Sequence, residues 1–158
     1  MSTRPTPPRR AAYAHFTPIA TRWSDNDAYR HVNNVVYYGF FDTAVNQHLI
    51  EAGALDLDRS TVVGLVVETQ CRYHAPVSFP DRVTVGMRLA HIGTSSLRYE
   101  LAVFRNDDDT AAADGHFVHV YVDRASNRPC PLPQVVRAAV APLLRPPAAP
   151  AGAVDGGA

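Results

Sequence analysis

NVVYYGFFDTAVNQHLIEA, residues 34–52, is the stretch on which the fold turns. Drawn as a helix, it carries Val35, Val36, Tyr37, Tyr38, Phe40, Phe41, Ala44, Val45, Leu49 and Ile50, which spread around most of its circumference. Asn33 is a favoured residue type for the N-cap, and Gly53 suits the left-handed position that closes a helix. A helix apolar on most sides is buried on most sides. In a chain of 158 residues, something has to wrap around it.

The flanking sequence supplies the wrapping. Residues 15–23 read as a short strand, followed by a polar loop, 24–33, dense in Asp and Asn. Four further strands follow the helix. Residues 62–73 are β-branched and apolar on both faces in their first half, which reads as a central strand. Residues 82–91 alternate, with Val83, Val85, Met87 and Leu89 on one face. Residues 96–104 place Leu97, Tyr99, Leu101 and Val103 together, and residues 112–122 set Phe117, His119 and Tyr121 opposite Val118, Val120 and Val122. This period of two marks half-buried antiparallel strands. Phe79-Pro80-Asp81, Ile92-Gly93-Thr94 and Asn106-Asp107-Asp108-Asp109 supply the turns. Residues 133–144 read as a short terminal helix. The expected architecture is α+β: a five-stranded antiparallel sheet wrapped around a long central helix, the hot-dog arrangement. Such a sheet has two open edges, and pairing with a second copy would cover unpaired backbone groups. A homodimer is expected, with further pairing to a tetramer open.

Composition narrows the function. Fifteen basic residues balance fifteen acidic ones, so no net positive field draws nucleic acid. Every basic residue is arginine, which excludes Schiff-base and general-base lysine chemistry. Two cysteines, Cys71 and Cys130, are too few for a disulfide scaffold. Residues 1–14, rich in Pro and Arg, and 145–158, rich in Pro, Ala and Gly, read as disordered tails around a folded body at 15–144. Neither an apolar leader nor a membrane span is visible, and the expected location is cytoplasmic.

Chemistry concentrates in residues 23–34, WSDNDAYRHVNN, immediately before the apolar helix. A helix start presents backbone N–H groups and partial positive charge, suited to a carbonyl oxygen that gains charge in a transition state. A carboxylate just upstream can attack the polarised carbon or activate water against it. Acyl transfer needs both parts.

The pattern Asp25-x-Asp27, His31-Val32-Asn33-Asn34, Val35-Val36-Tyr37-Tyr38 and Phe40-Phe41-Asp42 resembles acyl-CoA thioesterases of the 4-hydroxybenzoyl-CoA thioesterase type, and is similar to the Tol–Pal-associated bacterial thioesterases. The likeness covers roughly residues 16–122, including Phe79-Pro80-Asp81-Arg82-Val83 and Gly93-Thr94-Ser95-Ser96-Leu97. The resemblance implies hydrolysis of an acyl-CoA thioester, with Asp27 as nucleophile or general base and the backbone amide of Asn34 as oxyanion donor. It implies no metal and no held cofactor, CoA being the carrier half of the substrate. Many relatives have glycine where this chain has Arg30, beside Tyr29, which bears on the range of acyl groups.

Each candidate also has a plain structural role. Asp27 has the residue type for an Asx-turn, and Asp25 suits that role better. Asn33 is a helix cap first and a substrate contact second. His31 either orients the loop or takes part in acid–base chemistry. Asp42 and Tyr38 share a helical face with Asn34, as acyl contacts or as ordinary surface and core. Glu68 either makes an ordinary structural contact or, in a dimer, reaches the neighbouring site. Arg72, Arg88 and Arg98 are candidate clamps for CoA phosphates or solvated strand arginines. Ser95 and Ser96 lie in a turn able to offer amides to pantetheine or simply to close a hairpin. His116 and His119, three apart on a strand, fall on opposite faces, and no metal site is expected. Cys71 reads as a small core residue. Two other functions remain open on this fold: hydration or dehydration of an enoyl-CoA, which would pair Asp27 with His31, and non-catalytic sensing of acyl-CoA.

Overall fold

The helix that organises the chain, α1 (Val36–Glu51), starts two residues later than its sequence suggests and runs for 16 residues. The computed structural model describes residues 3–145. The late start has a local cause. In a continuing α-helix the Asn34 carbonyl would accept from Tyr38 N–H; instead it accepts from the Tyr73 hydroxyl at 2.7 Å. Tyr38 N–H bonds Val35 O at 3.3 Å. Asn33 caps the turn as expected: Oδ1 accepts from Val35 N–H at 3.0 Å and its carbonyl from Val36 N–H at 3.0 Å. Gly53, at φ +71°, closes the other end.

Five strands, β1 (His15–Ala20), β2 (Val62–Tyr73), β3 (Arg82–Ile92), β4 (Ser96–Arg105) and β5 (Ala113–Asp123), form one antiparallel sheet. Their order is β1-β3-β4-β5-β2. One sheet face meets α1. Tyr37, Phe40, Phe41, Ala44, Val45 and Leu49 of the helix pack with the alternating residues of β3, β4 and β5 read from the sequence. A short helix, α2 (Gln134–Val140), and the turn after it add Val136, Val140 and Leu143 to this core.

Three expectations change. The helix is shorter than a long central rod, about 24 Å at 1.5 Å per residue. A single sheet also covers only one side of it, so Val35 and Ile50 stay exposed. Next, β2 is an edge strand rather than a central one: among the described residues it pairs with β5 alone, and Leu65, Val66 and Val67 are 45–59% exposed. Its register slips between Val66 and Glu68. Finally, the expected N-terminal tail 1–14 is partly docked. Tyr13 packs edge-on against Phe104 at 5.8 Å, Arg10 lies 4.7 Å over the same ring, and Ala111 N–H bonds Pro8 O at 2.9 Å. These residues cover Ala102, Phe104 and Ala111 on the outer sheet face, apolar surface that the alternation leaves away from α1. Of the expected tail 145–158, residues 146–158 lie outside the described residues. Among the described residues no helix is long and apolar enough to cross a membrane.

Two positions test this packing. At Gly115 an added Cβ would stand 1.9 Å from the Gln70 carbonyl oxygen, which is backbone and has nowhere to go. Gly115→Ala should cost about 2 kcal/mol or more in urea melts. Gly39→Ala, on an open face of α1, should stabilise by roughly 0.5–1 kcal/mol. Burial holds the His119 imidazole down at about 4, against a smaller opposing pull from the Asp42 charge. The unfolded histidine titrates near ~6.5, so between these values the unfolded chain binds a proton that the folded one refuses. The contribution is complete above that window and lost as pH falls through it. About 2 kcal/mol should disappear between neutral pH and roughly pH 5, and His119→Phe should remove that dependence.

Candidate active site

The loop before α1 is built around two carboxylates with different tasks. Asp25 is buried and closes a short turn: its carboxylate accepts Arg22 N–H at 2.7 Å and the Arg22 guanidinium at 2.9 and 3.1 Å. That is a structural role, but not the Asx-turn expected of it, which is made by Asp27 instead. Asp27, two residues on, is half-buried. The chain reverses there: Asp27 N–H bonds His31 O at 2.9 Å and Arg30 N–H bonds Asp27 O at 3.0 Å. Arg30 takes φ +67°, a left-handed value that glycine adopts more freely than arginine. The Asp27 carboxylate accepts from Tyr29 N–H at 2.8 Å, an Asx-turn, and from Asn33 Nδ2 at 3.3 Å. Asn33 therefore joins the carboxylate to the helix start: one end of its amide holds Asp27 and the other accepts from Val35 N–H in the turn that leads into α1.

Beside this loop lies a groove of about 300 Å³, lined by His31, Val32, Asn34, Tyr37, Tyr73 and His74 among others. Among the described residues the Asn34 N–H has no hydrogen-bond partner, whereas its carbonyl is held by Tyr73. The Tyr37 and Tyr73 rings meet edge-on at 5.1 Å. Burial pushes the Tyr37 hydroxyl up to about 12 and raises that of Tyr73, so both stay protonated. The result is an aromatic wall beside an unpartnered helix-start amide. His31 contributes an exposed side chain to the groove, and its carbonyl, not its ring, braces Asp27.

Of the candidates read from the sequence, His31 and Asn34 line this groove, and Asp27 and Asn33 stand in the adjoining loop. The others lie elsewhere. Tyr38 is half-buried against Phe41 at 6.5 Å. Asp42 is exposed on α1 and accepts from Asn46 Nδ2 at 3.1 Å. Glu68 meets His116 Nε2 at 2.6 Å. Arg72 donates to Asp114 at 2.5 Å, and Asp114 also holds His74 at 2.6 Å. Arg88 donates to Glu100 at 2.7 Å, with Arg98 4.0 Å from the same carboxylate. Ser95 and Ser96 close the β3–β4 hairpin: Ser96 O accepts from Gly93 N–H at 2.8 Å and Ser95 O from Tyr121 N–H at 2.7 Å. Arg137 binds the same turn through Gly93 O. His116 and His119 sit on opposite faces of β5, and among the described residues no group of three or more His, Cys, Asp or Glu is placed to hold a metal.

Tyr73 and His74 were not singled out in the sequence. They end β2 some forty residues after the motif, and only the pairing of β2 with β5 brings them to α1. No local pattern marks them. Tyr37 was legible as a core residue of α1, but not as a wall of the groove.

Residues 21–140 match the thioesterase-like superfamily. Among solved structures, the PA5185 protein of Pseudomonas aeruginosa is 55% identical, with a TM-score of 0.86 over 87% of this chain and 96% of that one. The PA2801 protein of the same organism, a candidate thioesterase, is 32% identical, with a TM-score of 0.75 over 81% and 98%. A hypothetical protein of Thermus thermophilus, TT1821, is 27% identical, with a TM-score of 0.71 over 81% and 98%. The curated proteins searched gave no match. The matched region runs from the Asp27 loop through α1 and strands β2 to β5 as far as α2, and on that ground this chain belongs to the thioesterase-like superfamily, whose sheet-and-helix fold it shares.

Proposed function

We propose that the protein hydrolyses an acyl-CoA thioester to the free acid and CoA. The observation that carries this reading is the unpartnered Asn34 N–H at the start of α1, next to a residue that holds the Asp27 carboxylate. The thioester oxygen docks on that amide, where the helix start favours the charge that develops on it. Asp27 then acts in one of two ways. As general base it takes a proton from water while the water oxygen bonds the carbonyl carbon. As nucleophile it forms a mixed anhydride that water opens. In both, the C–S bond breaks and the sulfur leaves as the CoA thiol. Family membership and the candidate thioesterase among the relatives support the reaction class. The aromatic wall of Tyr37 and Tyr73 suits an aromatic or medium-length acyl group, in line with the 4-hydroxybenzoyl-CoA type that the motif resembles. No tightly held cofactor enters this scheme.

A second copy completes the site in this reading. The exposed edge of β2, with Leu65, Val66 and Val67 uncovered, offers both unpaired backbone groups and apolar surface, which suits edge-to-edge pairing into a homodimer. Glu68 lies on the same edge, where it can approach the partner's groove.

Asp27→Asn should keep the fold, since the amide oxygen still accepts Tyr29 N–H, and lower kcat for thiol release by about 10³-fold. Thermal melts together with a thiol-release assay on purified protein check both halves; undiminished turnover would remove Asp27 from the mechanism. Loss of enoyl absorbance from crotonyl-CoA without thiol release would put hydration in place of hydrolysis. Sedimentation should give a dimer for the native chain, and Val67→Lys should shift it towards monomer; a native monomer would remove the β2 pairing.

A further inference from the structure

The loop before α1 leaves two large rings uncovered. Trp23 is 81% exposed and Tyr29 83%, more than any other large apolar side chain among the described residues. Scattered exposed apolar residues are ordinary, but these two share one short loop whose own packing uses little of either. The loop is also fixed. Arg22 closes on Asp25 at 2.9 Å, Phe79 N–H donates to Asn26 Oδ1 at 3.0 Å, Val32 N–H to Val77 O at 2.7 Å, and Ser78 Oγ to Arg30 O at 2.9 Å. The Trp23 ring meets Phe79 edge-on at 6.0 Å, which leaves most of its surface open. Consecutive residues, Ser78 and Phe79, thus hold Arg30 and Trp23, and the two belong to one patch.

The charge on this patch is uncommitted. Of the two arginines in residues 22–33, Arg22 is taken by Asp25, whereas the exposed Arg30 guanidinium has no hydrogen bond or ion pair among the described residues. Its φ of +67° means that this side chain is carried against a local backbone cost. The patch also continues the groove. His31–Val32 and Ala75–Pro76 wall the groove, and these segments run on to Arg30 on one side and to Ser78–Phe79 on the other. Asn34 and Arg30 are four residues apart, so their Cα atoms lie no more than about 14 Å from each other. The pantetheine arm of CoA, with roughly twelve bonds between sulfur and phosphate, has the reach of about four extended residues.

We infer that Trp23 and Arg30 form a nucleotide subsite at the end of the groove: the indole stacks on the adenine of CoA and the guanidinium pairs with its phosphates, with Tyr29 beside them. Bases stack on aromatic faces, and a guanidinium matches phosphate in charge and geometry. This rests on the hydrolase reading above and names the carrier within it: a thioester that bears the CoA nucleotide, in preference to one of bare pantetheine. The subsite binds and orients the carrier and takes no part in bond breaking.

Thiol release is measured on the full chain with benzoyl-CoA, octanoyl-CoA and the matching S-acyl pantetheines. For an acyl group that is cleaved, the CoA form should be favoured by about tenfold or more in kcat/KM, the order expected of one stacked base. Arg30→Gly and Trp23→Ala should each reduce that preference severalfold. Glycine suits the left-handed backbone at residue 30, so the loop keeps its shape, and thermal melts check this. Trp23 is the single tryptophan of the chain, so binding is also read directly. Adenosine 3′,5′-bisphosphate should quench its emission, inorganic phosphate should not, and Arg30→Gly should weaken the bisphosphate Kd by about tenfold. Equal kcat/KM for CoA and pantetheine thioesters, a preference that survives both variants, or an emission unmoved by the bisphosphate overturns this assignment and leaves the hydrolase reading intact. An emission that shifts with anionic phospholipid vesicles and not with the bisphosphate overturns it too, and gives the loop to a membrane surface. Absence of thiol release from all four thioesters overturns the hydrolase reading and this inference with it.

Discussion

The hydroxyl of Tyr73 on the carbonyl of Asn34 is the contact from which the rest of the site follows. A helix start has more donors than its own chain can satisfy. By occupying the Asn34 carbonyl, Tyr73 delays the regular helix, and the first turn is handed to the Asn33 side chain. Among the described residues the Asn34 amide is left without a partner, and it borders a groove. The same asparagine that caps the turn steadies Asp27. The Asn34 amide and the Asp27 carboxylate are thus coupled through a single residue, and neither can shift without disturbing the turn that leads into α1.

The sheet explains why the groove lies where it does. With order β1-β3-β4-β5-β2, the last-placed strand is the second in sequence, so Tyr73 and His74 at its end arrive beside the start of α1. One sheet covers one flank of α1 and leaves the other flank and the β2 edge uncovered. The exposed valines of β2 and the outward Val35 and Ile50 make sense together if the uncovered side belongs to an assembly larger than one chain.

Charge is distributed by the sheet rather than by the motif. Arg72 and Arg88, which invite a role with phosphate, are each bonded to a carboxylate on the neighbouring strand: Asp114 and Glu100. Cross-strand register decides this, since Arg72 faces Asp114 and Arg88 faces Glu100 directly. On the opposite face, the same β5 alternation that seats Phe117 and Tyr121 in the core also buries His119, keeping the imidazole neutral.

Alternation and capping, read from the sequence by itself, determined the five strands, the helix, the closing glycine and the loop that carries Asp27, because these follow from periods of two and 3.6 and from turn chemistry within a dozen residues. They did not separate Asp25 from Asp27: the Asx-turn expected of Asp25 is made by Asp27. What only the tertiary structure decided depends on contacts between distant segments: that β2 lies at an edge, that residues 8–14 cover the outer face, that the arginines are paired, and that Tyr73 and His74 complete the groove. A two-sided apolar strand reads the same whether its second side meets its own sheet or another molecule. Strand order and register are settled by the packing of the whole chain, which no local pattern encodes.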